Sequence, residues 1–411
     1  MKNKKATFII DGNYHLFRSL FVLPKTDGKH INTDSDAKSY MQKIATDLAY
    51  QIRALDGLID EVVWTIDSKS WRKDFYPEAQ YKANRKSNDT INWENFSKIS
   101  SEFVEILKEK GVVISKINGA EGDDLMYSWS VQRMSKGKPV ILSTGDGDML
   151  QTISEQNNVH SIVLSPANKK LNVPIGFENW LNESSIEKKP DNELDIFNAM
   201  KISVNSEQLK KNLWKSFIKN KKYKLVEVDT IYFLFKKVLT GDGGDNVPPA
   251  YYYTTTSKAG NTRRYGVSDK KATLIIEDFV QKHGNLLELY LFSNDLIMDL
   301  ADSLVKVMKP KYMSREQIFR NLKMNIDLMV LSNRTIPEGI LNEMLGHIET
   351  NSDNIDINFD RITKMQNMLK GTLYEPNKRD SKSMTSSFFG KDNSNDFSFI
   401  KKKDSPNNKL F

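Results

Sequence analysis

The sequence predicts an α/β fold, a parallel sheet flanked by helices, followed by a mostly helical C-terminal region. Three observations carry this. Short apolar runs rich in β-branched residues recur at 6–10, 61–66, 112–117 and 139–142, the pattern of strands buried on both faces. Helix-period segments lie between them. From 266 to 370 the apolar spacing is mostly helical, without clear strand runs.

The elements follow in order. Ala-Thr-Phe-Ile-Ile at 6–10 runs into Asp11-Gly12, and the run at 61–66 ends at Asp67. Residues 93–107 place Trp93, Phe96, Ile99, Phe103 and Leu107 on one helical face, and Gly111 supplies the stop. The strand at 112–117 leads to Glu121-Gly122-Asp123-Asp124, which opens a helix through Leu125, Met126, Trp129 and Met134. The run at 139–142 leads to Asp146-Gly147-Asp148, and a further apolar run at 231–239 leads to Gly241-Asp242-Gly243-Gly244-Asp245. Residues 180–230 are polar, with a Lys-rich stretch at 207–224, and read as an insertion. From about 373 onward Asn, Ser, Asp and Lys dominate, the composition of a disordered tail. The expected domains are an α/β catalytic domain at 1–250, a helical domain at 251–372 and the tail at 373–411.

Composition narrows the chemistry. The 411 residues include no Cys and five His, which excludes disulfides, thiolate metal sites and a Cys nucleophile. Lys and Arg number 60 against 53 Asp and Glu, a net charge of +7, which permits a polyanionic partner. No apolar run of membrane-spanning length occurs and the N-terminus shows no signal-peptide pattern, so the chain reads as cytoplasmic.

The acids stand at strand ends. In an open parallel sheet the carboxyl ends of the strands form the ligand crevice, so Asp11, Asp67 and Asp146 meet at one edge. So many carboxylates repel one another unless cations neutralise them. An all-oxygen donor set suits Mg²⁺ or Mn²⁺, and two such ions can clamp a phosphate. Directly after Asp67, residues 68–86 hold Lys69, Arg72, Lys73, Lys82, Arg85 and Lys86 interleaved with Trp71, Phe75, Tyr76 and Tyr81. Basic residues neutralise phosphates and aromatic rings stack on unpaired bases.

Taken in order, IIDGNYHLFRSLF, TIDSKSWRKDFYPEAQYKANR, AEGDD, STGDGDM and GDGGDNVPP resemble the 5′-nuclease (flap endonuclease) superfamily, over roughly residues 5–175 and 235–280. The resemblance implies a PIN-like sheet with a helical arch at about 68–118 and a helix–hairpin–helix element. It implies that Asp11, Asp67, Glu121, Asp123, Asp124, Asp146, Asp148, Asp242 and Asp245 bind two Mg²⁺ or Mn²⁺ ions. Asp11, Asp67, Asp123 and Asp146 would hold chiefly one ion; Asp148, Asp242 and Asp245 would serve the other. Lys82 and Arg85 match arch residues at the scissile phosphate, and with Asp67 and Asp148 they are the catalytic candidates. Arg72, Tyr81, Tyr14 and Arg18 are nucleic-acid contacts. GVSDKKATLII at 266–276 resembles the helix–hairpin–helix loop, with Ser268, Lys270 and Lys271 against duplex backbone; Ser268 replaces a glycine, which weighs against the K⁺ site of that loop. AYYYTTTSKAGNTRR before it reads as an insertion.

The implied activity is 5′→3′ exonuclease, flap endonuclease and ribonuclease H cleavage of 5′ flaps, nicked or gapped duplexes and RNA–DNA hybrids, for removal of RNA primers in replication. The implied setting is a monomer in the cytoplasm, that of the host cell if phage-encoded, with a single-stranded DNA-binding protein and a sliding clamp as partners. Phe388 and Phe389 resemble a clamp-binding peptide. Two rivals stand beside this: a haloacid-dehalogenase-type phosphatase, disfavoured because Asn13 stands where its second Asp is needed, and a catalytically inactive DNA-binding protein, disfavoured by the full acidic set.

Overall fold

The structure is a computed structural model that describes residues 5–55, 59–85, 87–156, 159–175, 223–258, 260, 262–283 and 293–351. The Lys-rich stretch through residue 222 and the tail with Phe388 and Phe389 lie outside the described residues.

The chain forms two compact units. The first comprises the described parts of Met1–Trp71, Asn88–Leu234 and Met329–Glu375; the second comprises those of Arg72–Ser87 and Phe235–Leu328.

The first unit is built on one sheet. Its strands are β1 (Ala6–Asp11), β2 (Ile59–Thr65), β3 (Val113–Ser115), β4 (Val140–Ser143), β5 (Ser154–Gln156), β6 (Val159–Ser165), β7 (Lys170–Pro174) and β8 (Lys224–Val228). The order is β3-β2-β1-β4-β6-β7-β8, with β5 paired to β6. β3, β2, β1, β4 and β6 run parallel. β7 turns back antiparallel to β6 and β8 follows β7 in parallel, so the parallel sheet expected from the alternation gains a reversed edge.

The continuous apolar runs have their reason in two cores. Phe8, Ile10, Val62, Trp64, Ile141 and Leu164 face helices α1 (Gly12–Phe21), α2 (Asp34–Ala54) and α4 (Trp93–Glu109). The alternate residues Ile9, Val63, Val140, Leu142 and Val163 face α5 (Gly122–Ser135). β1, β2, β4 and β6 are therefore apolar on both sides, as a sheet covered by helices on both faces requires. α4 buries Ile99, Phe103 and Leu107 and ends before Gly111, whose φ of +85° favours glycine. β3 is shorter than the expected strand: past Ser115 the chain bonds to the loop after β2 instead, through Ser68 N–H to Ala120 O and Trp71 N–H to Gly119 O.

At the end of the sheet away from the strand tips, Glu61 is buried with Arg133, which donates from Nε at 2.7 Å, with Lys138 at 3.1 Å and with the Thr7 hydroxyl. Burial works against its charge, but these donors win and hold the carboxyl below the usual range.

The second unit contains the short helix α3 (Arg72–Phe75), a 3₁₀ turn at Pro77–Ala79, a two-stranded ribbon of β9 (Tyr252–Thr256) and β10 (Thr262–Gly266), and helices at Asp269–His283, Asn294–Met308 and Arg315–Met329. Helix Glu338–Thr350 belongs to the first unit. The stretch read from sequence as an insertion thus contributes an antiparallel hairpin.

Candidate active site

β1 lies between β2 and β4, and the chain leaves β1 to one side and returns through β4 on the other. That is a topological switch point, where the crevice at the carboxyl ends opens. Asp11 closes β1, and Asp67 and Asp146 follow β2 and β4.

Asp11 caps α1. One carboxylate oxygen accepts the Tyr14 N–H at 2.9 Å, and the other accepts the Thr144 hydroxyl at 2.7 Å. The same Thr144 oxygen accepts the Asp146 N–H at 3.0 Å, so one threonine ties the ends of β1 and β4. Asp67 is held by Asn13, whose amide donates at 2.7 Å, and by the Gly122 N–H at 2.6 Å. Asp146 accepts the Asp148 N–H at 2.8 Å and caps the 3₁₀ turn Gly147–Thr152.

Close approach sets two glycines. A Cβ at Gly12 would stand 2.2 Å from the Trp64 ring nitrogen and 2.4 Å from Thr65 O; at Gly145 it would stand 2.2 Å from the Tyr14 ring.

Asp11 carries an electrostatic load. Burial first, then Asp67 and Asp146, push its carboxyl up to about 7 against its two hydrogen bonds. Glu121 and Asp124 sit at the start of α5. Asp124 is buried and accepts both the Trp71 indole N–H at 3.2 Å and the Glu121 N–H at 3.1 Å; this anchors the loop after Asp67. Asp123 and Asp148 are half-buried. Among the described residues no three Asp, Glu or His side chains converge closely enough to hold an ion by themselves. Asp67 and Asp146 act on Asp11 through their charge, and the Gly122 N–H ties Asp67 to the start of α5. An all-oxygen set around mutually repelling acids fits a hard divalent cation, and Mg²⁺, which keeps several waters, needs only one or two direct carboxylates.

Two expected nucleic-acid contacts are otherwise engaged. Arg18 pairs with Asp47 at 3.5 Å. Tyr14 is half-buried, its oxygen accepts the Ala167 N–H at 3.3 Å, and burial pushes the phenol up to about 12. His15 is buried beside it against the Ser143 hydroxyl at 2.9 Å, and burial, then Arg18, lowers it to about 3, so it stays neutral.

Within the second unit, Asp242 and Asp245 share a loop. Asp242 accepts the Gly244 N–H at 2.7 Å and pairs with Lys237 at 3.3 Å. Burial raises its proton affinity, but Lys237 and the amide outweigh it and the carboxyl lies below its usual range. Asp245 receives the Arg85 guanidinium, the Tyr81 hydroxyl at 3.2 Å and Lys82 Nζ at 3.9 Å. The Lys82 N–H also reaches Asp245 O at 2.9 Å, Asn84 donates to Gly243 O at 2.9 Å, and Asn246 to Gln80 O at 3.1 Å. Lys82 is held at φ +59° and Gln80 at +49°, a conformation costly for residues other than glycine, which these hydrogen bonds sustain. Arg72, expected at a nucleic acid, is 2% exposed and donates from Nε to Leu328 O at 2.9 Å; its place is structural. Lys270 and Lys271 stand exposed in the first turn of the helix Asp269–His283. Ser268 is not among the residues at positive φ, so its side chain brings no backbone strain to that loop.

Sequence reasoning passed over Thr144, Asn13 and Lys237. Only Lys237 stands near in sequence to the acid it pairs with, Asp242; Asn13 and Thr144 donate to Asp67 and Asp11, 54 and 133 positions away, which spacing along the chain does not reveal.

Residues 6–185 match the family model of the 5′-3′ exonuclease N-terminal resolvase-like domain. A 5′-3′ exonuclease of Buchnera aphidicola (strain APS) is 30% identical over 154 residues, 37% of this chain and 50% of that protein. A DNA polymerase I of Rhizobium leguminosarum is 27% identical over 184 residues, 44% of this chain and 17% of that protein. The chain thus spans about half the length, or less, of these curated relatives. Among solved structures, the T5 D15 protein crystallised with metal ions aligns over 85% of this chain and 100% of its own, at 16% identity and a TM-score of 0.47.

Proposed function

We propose that this chain, whose residues 6–185 match the 5′-3′ exonuclease N-terminal resolvase-like domain, is a Mg²⁺-dependent 5′→3′ exonuclease and flap endonuclease of the 5′-nuclease superfamily, with ribonuclease H activity. Its substrates are 5′ ends of DNA and of RNA in RNA–DNA hybrids, and its task is removal of RNA primers. The observation that supports it is the trio Asp11, Asp67 and Asp146 at the switch point of the sheet.

Asp11, Asp67 and Asp146, with Asp123, Asp148 and Glu121, are the residues to hold Mg²⁺. When bound, the cation supplies neutralisation of phosphate charge and eases loss of a proton from water. The protein's own groups do the rest. Thr144 and Asn13 fix the rotamers of Asp11 and Asp67. Lys82 and Arg85, which pair with Asp245, are the cations proposed to neutralise phosphate charge as it grows in the transition state. Lys270 and Lys271 crowd a helix N-terminus, where an anion is favoured over a cation, and they take duplex backbone. A single-stranded DNA-binding protein and a sliding clamp are the partners this task needs. Among the described residues no helix is long and apolar enough to cross a membrane.

The test is cleavage of a 5′-labelled flap duplex and of an RNA–DNA hybrid, in Mg²⁺ and in EDTA, by wild type and Asp67→Asn. Short 5′ products that require Mg²⁺ and vanish in the variant support the reading. Tight binding of both substrates without cleavage would refute it in favour of a binding protein.

A further inference from the structure

The β9–β10 ribbon carries a chemistry that the acidic crevice does not use. Residues 252–266 include no acid and carry Lys258, Arg263 and Arg264. Register pairs Tyr265 with Tyr253 and Arg263 with Thr255, and directly opposed residues share a face. On that face the Tyr253 and Tyr265 rings stack at 5.4 Å with an interplanar angle of 17°, and Tyr312 joins Tyr253 at 4.9 Å. Tyr265 is 44% exposed and Tyr312 67%. On the opposite face Arg264 lies 5.0 Å over the Tyr252 ring. A two-stranded ribbon is marginal alone, and this one leaves rings and arginines on its surface rather than on a core.

We propose that this ribbon is a stacking platform for single-stranded DNA, in which Tyr265 and Tyr312 receive unpaired bases and Arg263 the intervening phosphates. The charge selects a polyanion. The rings select between its forms: a duplex stacks its bases internally and would meet Arg263 but leave both tyrosine faces in water, whereas a single strand uses rings and cation together. The proposal rests on the nucleic-acid reading above and adds a contact to it.

The test measures fluorescence anisotropy of labelled oligo-dT and of a blunt duplex with the full chain in EDTA. Tyr312→Ala is expected to weaken oligo-dT binding on the order of ten-fold and to leave the duplex within about two-fold, while Tyr312→Phe binds like wild type. Because Tyr312 is so exposed, its truncation should not disturb the fold. Arg263→Gln provides an independent arm: the slope of log affinity against log salt on oligo-dT falls by about 0.7, the value for one phosphate contact on a single strand. Unchanged oligo-dT binding in Tyr312→Ala and Tyr265→Ala, or equal losses on both nucleic acids, overturns the proposal. A parallel flap cleavage reaction in Mg²⁺ separates the two readings. Tyrosine-dependent binding without wild-type cleavage removes the nuclease and keeps the platform; cleavage with tyrosine-independent binding removes the platform alone.

Discussion

Replacing Asp11 by Asn should make the metal-free protein more stable while removing its activity. Asp11 is half-buried beside Asp67 and Asp146, and its carboxyl is held up to about 7 from an ordinary 3.8, chiefly by burial. A raised carboxyl means that the folded chain binds the proton more tightly than the unfolded one. Stability therefore falls as pH rises from about 4 through about 7, because charging the group in the fold is costlier than in water. The three-unit rise corresponds to about 4 kcal/mol at pH 8 and about 2 kcal/mol at pH 5. Asn carries no charge at either pH. Its carbonyl can still accept the Tyr14 N–H, and its amide can donate to the Thr144 hydroxyl oxygen. Urea unfolding in EDTA should thus show Asp11→Asn more stable by up to about 4 kcal/mol at pH 8, with the advantage roughly halved at pH 5. Mg²⁺ should stabilise wild type more than the variant, since only wild type gains relief of the repulsion. An advantage at pH 8 that is absent, or that grows toward pH 5, would refute the electrostatic reasoning.

Three further outcomes are expected. Gly12→Ala places a methyl against Trp64 and the Thr65 carbonyl and should cost about 2–4 kcal/mol, read as a lowered thermal midpoint. Arg133→Ala strands the buried Glu61 carboxylate with Lys138 and Thr7 alone and should cost about 3–5 kcal/mol; a loss below about 1 kcal/mol would show that Glu61 is solvated. Lys82→Ala should slow flap cleavage by about a hundred-fold or more and weaken substrate binding far less, measured as single-turnover rate against affinity; equal losses would make Lys82 an anchor only.

Sequence made the strand tips legible because chemistry and periodicity coincide there. Apolar runs that end in an acid mark both a buried strand and its active edge, and β1, β2 and β4 fall within two residues of the expected bounds. β7 and β8 escaped because their pattern is half polar, as suits strands beyond the helix-covered centre of the sheet. The ribbon escaped for the opposite reason. Its strands are Thr- and Tyr-rich, good strand formers, but they lack the apolar alternation that packing on a core would impose. Arg72 could not be placed by its neighbours in sequence, since its partner Leu328 lies 256 positions away.

The two acidic sets also differ in how their charge is met, which composition alone does not distinguish. Asp245 is met within its own unit by Arg85, Lys82 and Tyr81, and Asp242 by Lys237. The charges that act most strongly on Asp11 are other acids. A loop whose carboxylates already face cations gains little from another one, whereas Asp11, pushed up by burial and by Asp67 and Asp146, gains relief of that repulsion. Cation affinity should therefore concentrate at Asp11, Asp67 and Asp146. Isothermal titration with Mg²⁺ should lose more heat in Asp67→Asn than in Asp242→Asn. The reverse order would place the stronger site in the Asp242–Asp245 loop and would mean that the pairing with Lys237 yields readily to the ion.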